Sequence, residues 1–152
     1  MVQSVPWDTL LLLTYAVTSI HLQGAMTECI ADPATNSPNP KHVALYSEWG
    51  KTGAGLLITG NVMVDRSHLE APGNVAVEDD RDNAVLKQWA TESQANGAVT
   101  LVQISHPGRQ SPISVTFDPL CPSANPPVKA VLPIFSASRE MTVSQIEDIN
   151  LR

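Results

Sequence analysis

The 152-residue sequence predicts an α/β fold built from parallel βαβ units. Three observations carry that expectation. Ala54 to Val64 ("AGLLITGNVMV") is a continuous apolar run of strand length, the pattern of a strand covered on both faces in a parallel sheet. Just before it, Val43, Tyr46, Trp49 and Gly50 recur at helical spacing. Strand-length runs and helix-periodic stretches then alternate three times, and such alternation implies right-handed parallel crossovers. A small doubly wound sheet and the opening of a barrel both satisfy that order.

Taken in order, the apolar run Thr9 to Ser19 follows Asp8, and no Lys or Arg occurs in the first forty residues. A missing positive region counts against a signal peptide, and the run is too short to span a bilayer. It reads as a buried strand or helix segment, or as an aberrant N-terminus. Ser19 to Glu28 is the first strand. Asp32 to Pro40 is loop, and Asn39 before Pro40 supplies a cap and a first-turn proline for a helix that runs to Gly53. Ala54 to Val64 is the second strand. A second helix is expected from about Asp79 to Asn96, with Val85, Leu86, Trp89 and Ala90 as its buried stripe and Gly97 as its stop. Glu78, Asp79, Asp80 and Asp82 crowd its positive end and read as a solvated helix start. Ala98 to His106 is the third strand, and its apolar stretch from Leu101 reads as buried sheet with Gln103 inside it. After a proline-rich stretch, Thr142 and Gln145 form a capping box that opens a third helix with Val143, Ile146 and Ile149 on its apolar face.

Length and composition bound the function. One domain is affordable, and 43% hydrophobic residues supply a core. A net charge of −6 argues against nucleic acid or an anionic membrane as a partner. Cys29 and Cys121 stand far apart with no ligand spacing, which reads as two reduced thiols in a cytoplasmic protein. His21, His42 and His68 lack the spacing of a shared metal site, so no metal ligand is assigned. No dinucleotide, phosphate-loop, hydrolase or zinc-protease signature occurs.

Chemistry in parallel α/β folds gathers at the carboxyl ends of strands, here "AMTE", "TGNV" and "QISHPGR". Alternation places Val99, Leu101, Gln103 and Ser105 on one face of the third strand. A primary amide inside a strand needs partners for both its C=O and its NH₂. Either neighbouring backbone or a flat heterocycle with adjacent donors and acceptors satisfies Gln103. Thr27 is either a ligand contact or a strand-end cap, and Gly60 either a close approach or a bend. His106 and Arg109 are either pocket groups or loop residues.

"GAMTE", "PNPKHVALYSEWGKTGAGLLITGNVMV", "HLEAPGNV", "VQISHPGRQSP" and "REMTVSQIEDI" together resemble the Old Yellow Enzyme family of NADH:flavin oxidoreductases, from about Ser19 to Leu151. The resemblance implies the N-terminal part, about three βα units, of a TIM (β/α)8 barrel that holds FMN at its mouth. Residues 19–152 would then be a partial FMN-binding domain behind a divergent segment 1–18. Carried over, Ala25, Met26 and Thr27 lie along the isoalloxazine ring, with Thr27 bonded near the flavin carbonyl. Gly60 brings backbone to the pyrimidine side, and Gln103 pairs with the same edge. Implied with these are NADH or NADPH as reductant and an activated alkene, often an enone, as the small-molecule substrate.

Two departures from the family pattern shape the expectation. Ser19 and Ile20 replace an Asn-Arg pair before the first strand, and the residues up to Arg152 include no counterpart of the family's substrate-binding His/Asn pair, proton-donating tyrosine or phosphate loops. The resemblance thus implies a truncated chain. The alternatives are a non-catalytic remnant or interaction fragment, and a small stand-alone α/β binding domain.

Overall fold

The computed structural model describes Ser19, residues 21–126 and residues 134–151. The apolar stretch 9–18 and residues 127–133 of the proline-rich segment lie outside that range. The elements in order are β1 (Leu22–Gln23), α1 (Pro40–Gly50), β2 (Leu56–Met63), β3 (Val75–Ala76), α2 (Asn83–Gln94), β4 (Val99–Ser105), β5 (Leu120–Cys121), β6 (Arg139–Glu140) and α3 (Val143–Leu151). Every named strand pairing is parallel, as the alternation predicts. β2 is central. It pairs with β1 at its start, with β3 at its end and with β4 along its other edge.

The helices form where local chemistry expects them. Asn39 caps α1 by accepting from Lys41 N at 2.9 Å, Pro40 occupies the first turn, and His42 completes the reciprocal box by accepting from Asn39 N. The helix stops at Gly50, short of Gly53, which turns the chain with φ +79°. Gly50 itself serves the packing. A Cβ there would lie 2.8 Å from the Ser93 carbonyl of α2, so the two helices touch through it. Asp79 caps a single 3₁₀ turn, Asp80–Asp82, before α2 begins. The Thr142–Gln145 box is present in both directions, at 3.0 and 3.2 Å.

The acidic run before α2 is not wholly solvated. Asp82 is buried and pairs with Arg66 at 2.9 Å, while Arg66 N donates to Glu78 Oε1 at 2.6 Å. A carboxylate leaves water only with such a partner, and Arg66 arrives from a loop that sequence distance hid.

The core lies between the helices and one face of β2. Leu57 and Val62 meet Val43, Tyr46 and Trp89 there. Tyr46 packs edge-on against Trp49 and Trp89, at 4.8 and 5.0 Å between ring centroids. Ala90, expected in the buried stripe, is exposed instead. It rims an open apolar cleft of about 350 Å³ between α2 and the helix-facing side of β2 and β4.

Two strand expectations need correction. The first strand was expected over Ser19 to Glu28, yet among the described residues of that span only Leu22–Gln23 joins the ladder. The third was expected to be buried, but Leu101, Val102 and Ile104 of β4 are 43%, 53% and 65% exposed. Among the described residues β4 pairs with β2 alone, so its other edge and much of both faces meet solvent. Likewise Val143 of α3 is exposed at 72%.

Candidate functional site

A break in the β2–β4 ladder builds the site. Leu56 to Ile58 pair in step with Val99 to Leu101, after which the register shifts and Asn61 stands opposite Gln103. One extra residue in β2 at Thr59–Gly60 makes a bulge and reverses the facing of everything after it. Thr59 repairs the gap. Its hydroxyl accepts from Gln103 N at 3.0 Å and donates to the Gly60 carbonyl at 2.8 Å. Asn61 and Gln103 therefore share the face turned away from the helices, at the carboxyl end of the sheet.

Around them lies a polar line. Gln103 Nε2 donates to Asn61 Oδ1, and Asn61 Nδ2 donates to Glu70 Oε2 at 2.6 Å. Thr27 Oγ1 donates to the same Glu70 oxygen at 3.2 Å. Two of the sequence-predicted site residues, Thr27 and Gln103, thus belong to one hydrogen-bonded group. Gln103, Thr27, Ala25 and Met26 are all exposed, with Met26 at 56%. The expectation of a buried amide is corrected: in this chain Gln103 finds its partner in Asn61 and faces open space.

Gly60 is buried and serves a different neighbour. A Cβ there would lie 2.3 Å from the Met26 carbonyl and 2.1 Å from Glu28 Oε2, so only glycine lets residues 26–28 settle against β2. Its N–H donates to Glu28 Oε1 and to Tyr46 Oη, each at 3.1 Å, and Tyr46 Oη donates to Glu28 Oε1. This knot replaces the β1–β2 ladder beyond Gln23. Burial, then the Glu28 carboxylate, pushes the Tyr46 phenol far above its ordinary range, so it stays a neutral donor.

Cys29 sits beside the same carboxylates at φ 53°. Burial raises its thiol, and Glu70 and Glu28 raise it further, which makes it a poor nucleophile. Cys29 and Cys121 are both free thiols, as expected.

His106 and His68 stack at 5.3 Å between ring centroids, with Asp65 close by. Ligand atoms of Asp65, His68 and His106 lie within 4.8 Å of one another, a grouping that chain spacing could not reveal. Its hydrogen bonds describe an ion pair. His68 Nδ1 meets Asp65 Oδ2 at 2.8 Å, and Nε2 lies 3.4 Å from the Asp118 carbonyl. The bond to Asp65 raises the imidazole above its ordinary value. Burial opposes the Asp65 charge, but hydrogen bonds from His68 and Ser67 outweigh it and hold the carboxyl well below the usual range. Arg109 is exposed in the 3₁₀ turn Gly108–Gln110.

That pair carries a pH signature. Asp65, with a depressed pKa, stabilises the fold above about pH 4 and loses its effect on acidification; His68, with a raised pKa, stabilises below about pH 6.5 and loses its effect as pH rises through the raised value. The pair thus contributes most between about pH 4 and 6.5. Urea midpoints of wild type and His68→Gln are expected to converge from pH 6 to pH 9. A constant gap would show that the pair does not titrate this way.

Sequence reasoning missed Asn61, Glu70, Glu28 and Tyr46. A glycine inside a strand is the available signal for a bulge, and counting it would have moved Asn61 onto the face of Gln103. Glu70 stands in a loop and left no such mark.

Polar side chains thus gather at the carboxyl ends of neighbouring parallel strands, with helices behind them, the end at which barrels and open α/β sheets alike carry their sites. The sequence model of the NADH:flavin oxidoreductase / NADH oxidase family matches residues 20–150, and the chain belongs to that family. FMN and a reduced nicotinamide are the cofactors that membership implies. The NADH-dependent flavin oxidoreductase iliE of Hypocrea jecorina (strain QM6a) is 40% identical over 96 residues, which cover 60% of this chain and 24% of the relative. A 2-naphthoyl-CoA reductase complex matches with a TM-score of 0.75 at 21% identity, over 84% of this chain and 21% of its own. The Old Yellow Enzyme homologue from Zymomonas mobilis matches with a TM-score of 0.72 at 18% identity, over 86% of this chain and 38% of its own. These likenesses show the fold, the N-terminal βα units of a (β/α)8 barrel. The chain spans 19% to 29% of the length of the curated relatives it matches. No helix among the described residues is long and apolar enough to cross a membrane.

Proposed function

We propose that this chain forms the flavin-facing part of an FMN-dependent NAD(P)H oxidoreductase of the Old Yellow Enzyme type, acting on activated alkenes such as enones. The observation that carries the reading is the meeting of Thr27 and Gln103, from segments 76 residues apart, on one face of the sheet through Asn61 and Glu70. When bound, FMN would supply hydride chemistry, receiving from a reduced nicotinamide and giving to the β-carbon of the alkene. The chain's own residues bind and orient. Gln103 offers its amide to the pyrimidine edge, Ala25, Met26 and Thr27 line the ring, and Gly60 sets how closely that segment lies against β2. The open, polar face of Gln103 suits a planar ring with adjacent donors and acceptors. A cytoplasmic setting agrees with the two free thiols, and the small-molecule substrate is of the kind that the naphthoyl-CoA complex holds.

The exposure of β4 favours a second reading, a non-catalytic interaction fragment. One measurement separates them. Purified protein mixed with FMN and gel-filtered is expected to retain a flavin absorption band, and a colourless protein peak would reject the first reading. Gln103→Leu is expected to weaken retention by about tenfold, the scale of one hydrogen bond lost at a polar edge. Unchanged affinity would remove Gln103 from that role.

A further inference from the structure

Glu70, in the loop after β2, sits at the head of the polar line. A single oxygen, Oε2, accepts from Asn61 Nδ2 at 2.6 Å and from Thr27 Oγ1 at 3.2 Å. A carboxylate only accepts, so it decides the direction of every bond that follows. Asn61 must turn its NH₂ toward Glu70, which leaves its carbonyl facing Gln103. Gln103 must then meet that carbonyl with its own NH₂. The Thr27 hydroxyl donates to the same oxygen from the other side of the mouth. An isolated amide has no such preference between its two ends.

The bulge at Gly60 is what makes the line possible, because it brings Asn61 into register with Gln103. Without that shift, alternation would turn Asn61 toward the helices, and Glu70 would have no route to β4.

We propose that Glu70 is a positioning residue that sets the hydrogen-bonding polarity of the strand mouth. Under its control Gln103 turns its carbonyl oxygen and remaining N–H outward. The inference rests on the flavin reading above and narrows it to a ligand edge that carries an N–H donor beside a carbonyl. The imide edge of an isoalloxazine has that pattern, and the same ring alkylated at the imide nitrogen lacks it.

Two measurements on the 152-residue chain test this. In the unliganded protein, Glu70→Ala is expected to shift the side-chain amide protons of Gln103, two hydrogen bonds away, in NMR spectra. Asn61→Ala is expected to shift the same resonances, and Glu70→Gln, which keeps an acceptor oxygen, to restore them toward wild type. A Gln103 amide unmoved in both Glu70→Ala and Asn61→Ala overturns the proposal. The second measurement titrates lumiflavin and 3-methyllumiflavin. Wild type is expected to prefer lumiflavin by about tenfold, and Glu70→Ala to cut that preference at least about threefold, since its amides are free to flip. An unchanged ratio overturns the proposal. Absence of lumiflavin binding alongside the NMR shifts overturns the flavin reading and leaves the role of Glu70 standing.

Discussion

Gly60→Ala is expected to dislodge residues 26–28 from the sheet and to cost both stability and flavin retention. The new methyl would lie 2.1 Å from Glu28 Oε2 and 2.3 Å from the Met26 carbonyl. Glu28 has a flexible end that can swing aside, but the Met26 oxygen is backbone. That segment must retreat by roughly 1 Å to regain van der Waals contact. Retreat stretches the Gly60 N–H bond to Glu28 and the Tyr46 bond to the same oxygen. Tyr46 is fully buried, so a weakened bond at its hydroxyl costs about 1–3 kcal/mol. The same retreat draws Thr27 from Glu70, and FMN retention is expected to fall by at least about tenfold. Urea unfolding and gel filtration with FMN read the two effects separately. Adding Glu28→Ala is expected not to rescue either, because the Met26 carbonyl remains. A Gly60→Ala protein with wild-type midpoint and retention would contradict this account.

Trp89→Ala is expected to destabilise the fold by about 3–5 kcal/mol, the cost of emptying a large aromatic site. Trp89 is 4% exposed and holds α2 against Tyr46 and His42, with ring centroids at 5.0 and 5.1 Å. Such a loss is a large part of the stability of an ordinary domain. Trp89→Phe is expected to cost far less than the alanine variant. Phenylalanine keeps much of the ring packing, and the buried indole Nε1–H it removes has no hydrogen-bond partner among the described residues. Near-equal urea midpoints for the two variants would show that the ring does not anchor the helix pair.

The two sites are linked through Tyr46, whose ring belongs to the aromatic cluster and whose hydroxyl holds Glu28 beside Gly60. Packing of α1 on α2 therefore positions the strand-end segment that carries Thr27. Burial lowers the His42 pKa and keeps the imidazole neutral within the same cluster.

Local pattern determined a good deal of this protein. Asn39–Pro40 opened α1, Thr142 and Gln145 opened α3, and the apolar run around Leu57 became the central parallel strand, because caps and periodicity depend only on neighbours in the chain. The motifs around Thr27, Gly60 and Gln103 likewise pointed to the family that the comparison shows. Tertiary structure alone decided how those residues meet. Strict alternation cannot anticipate that one extra residue at Gly60 turns Asn61 toward Gln103, nor that a loop carboxylate, Glu70, joins Thr27 to them. Nor does it reveal that Arg66 buries Asp82, or that β4 stays exposed. The reason is physical: a bulge, an ion pair and an open strand edge are settled by which distant groups arrive, and arrival depends on the packed fold rather than on spacing along the chain.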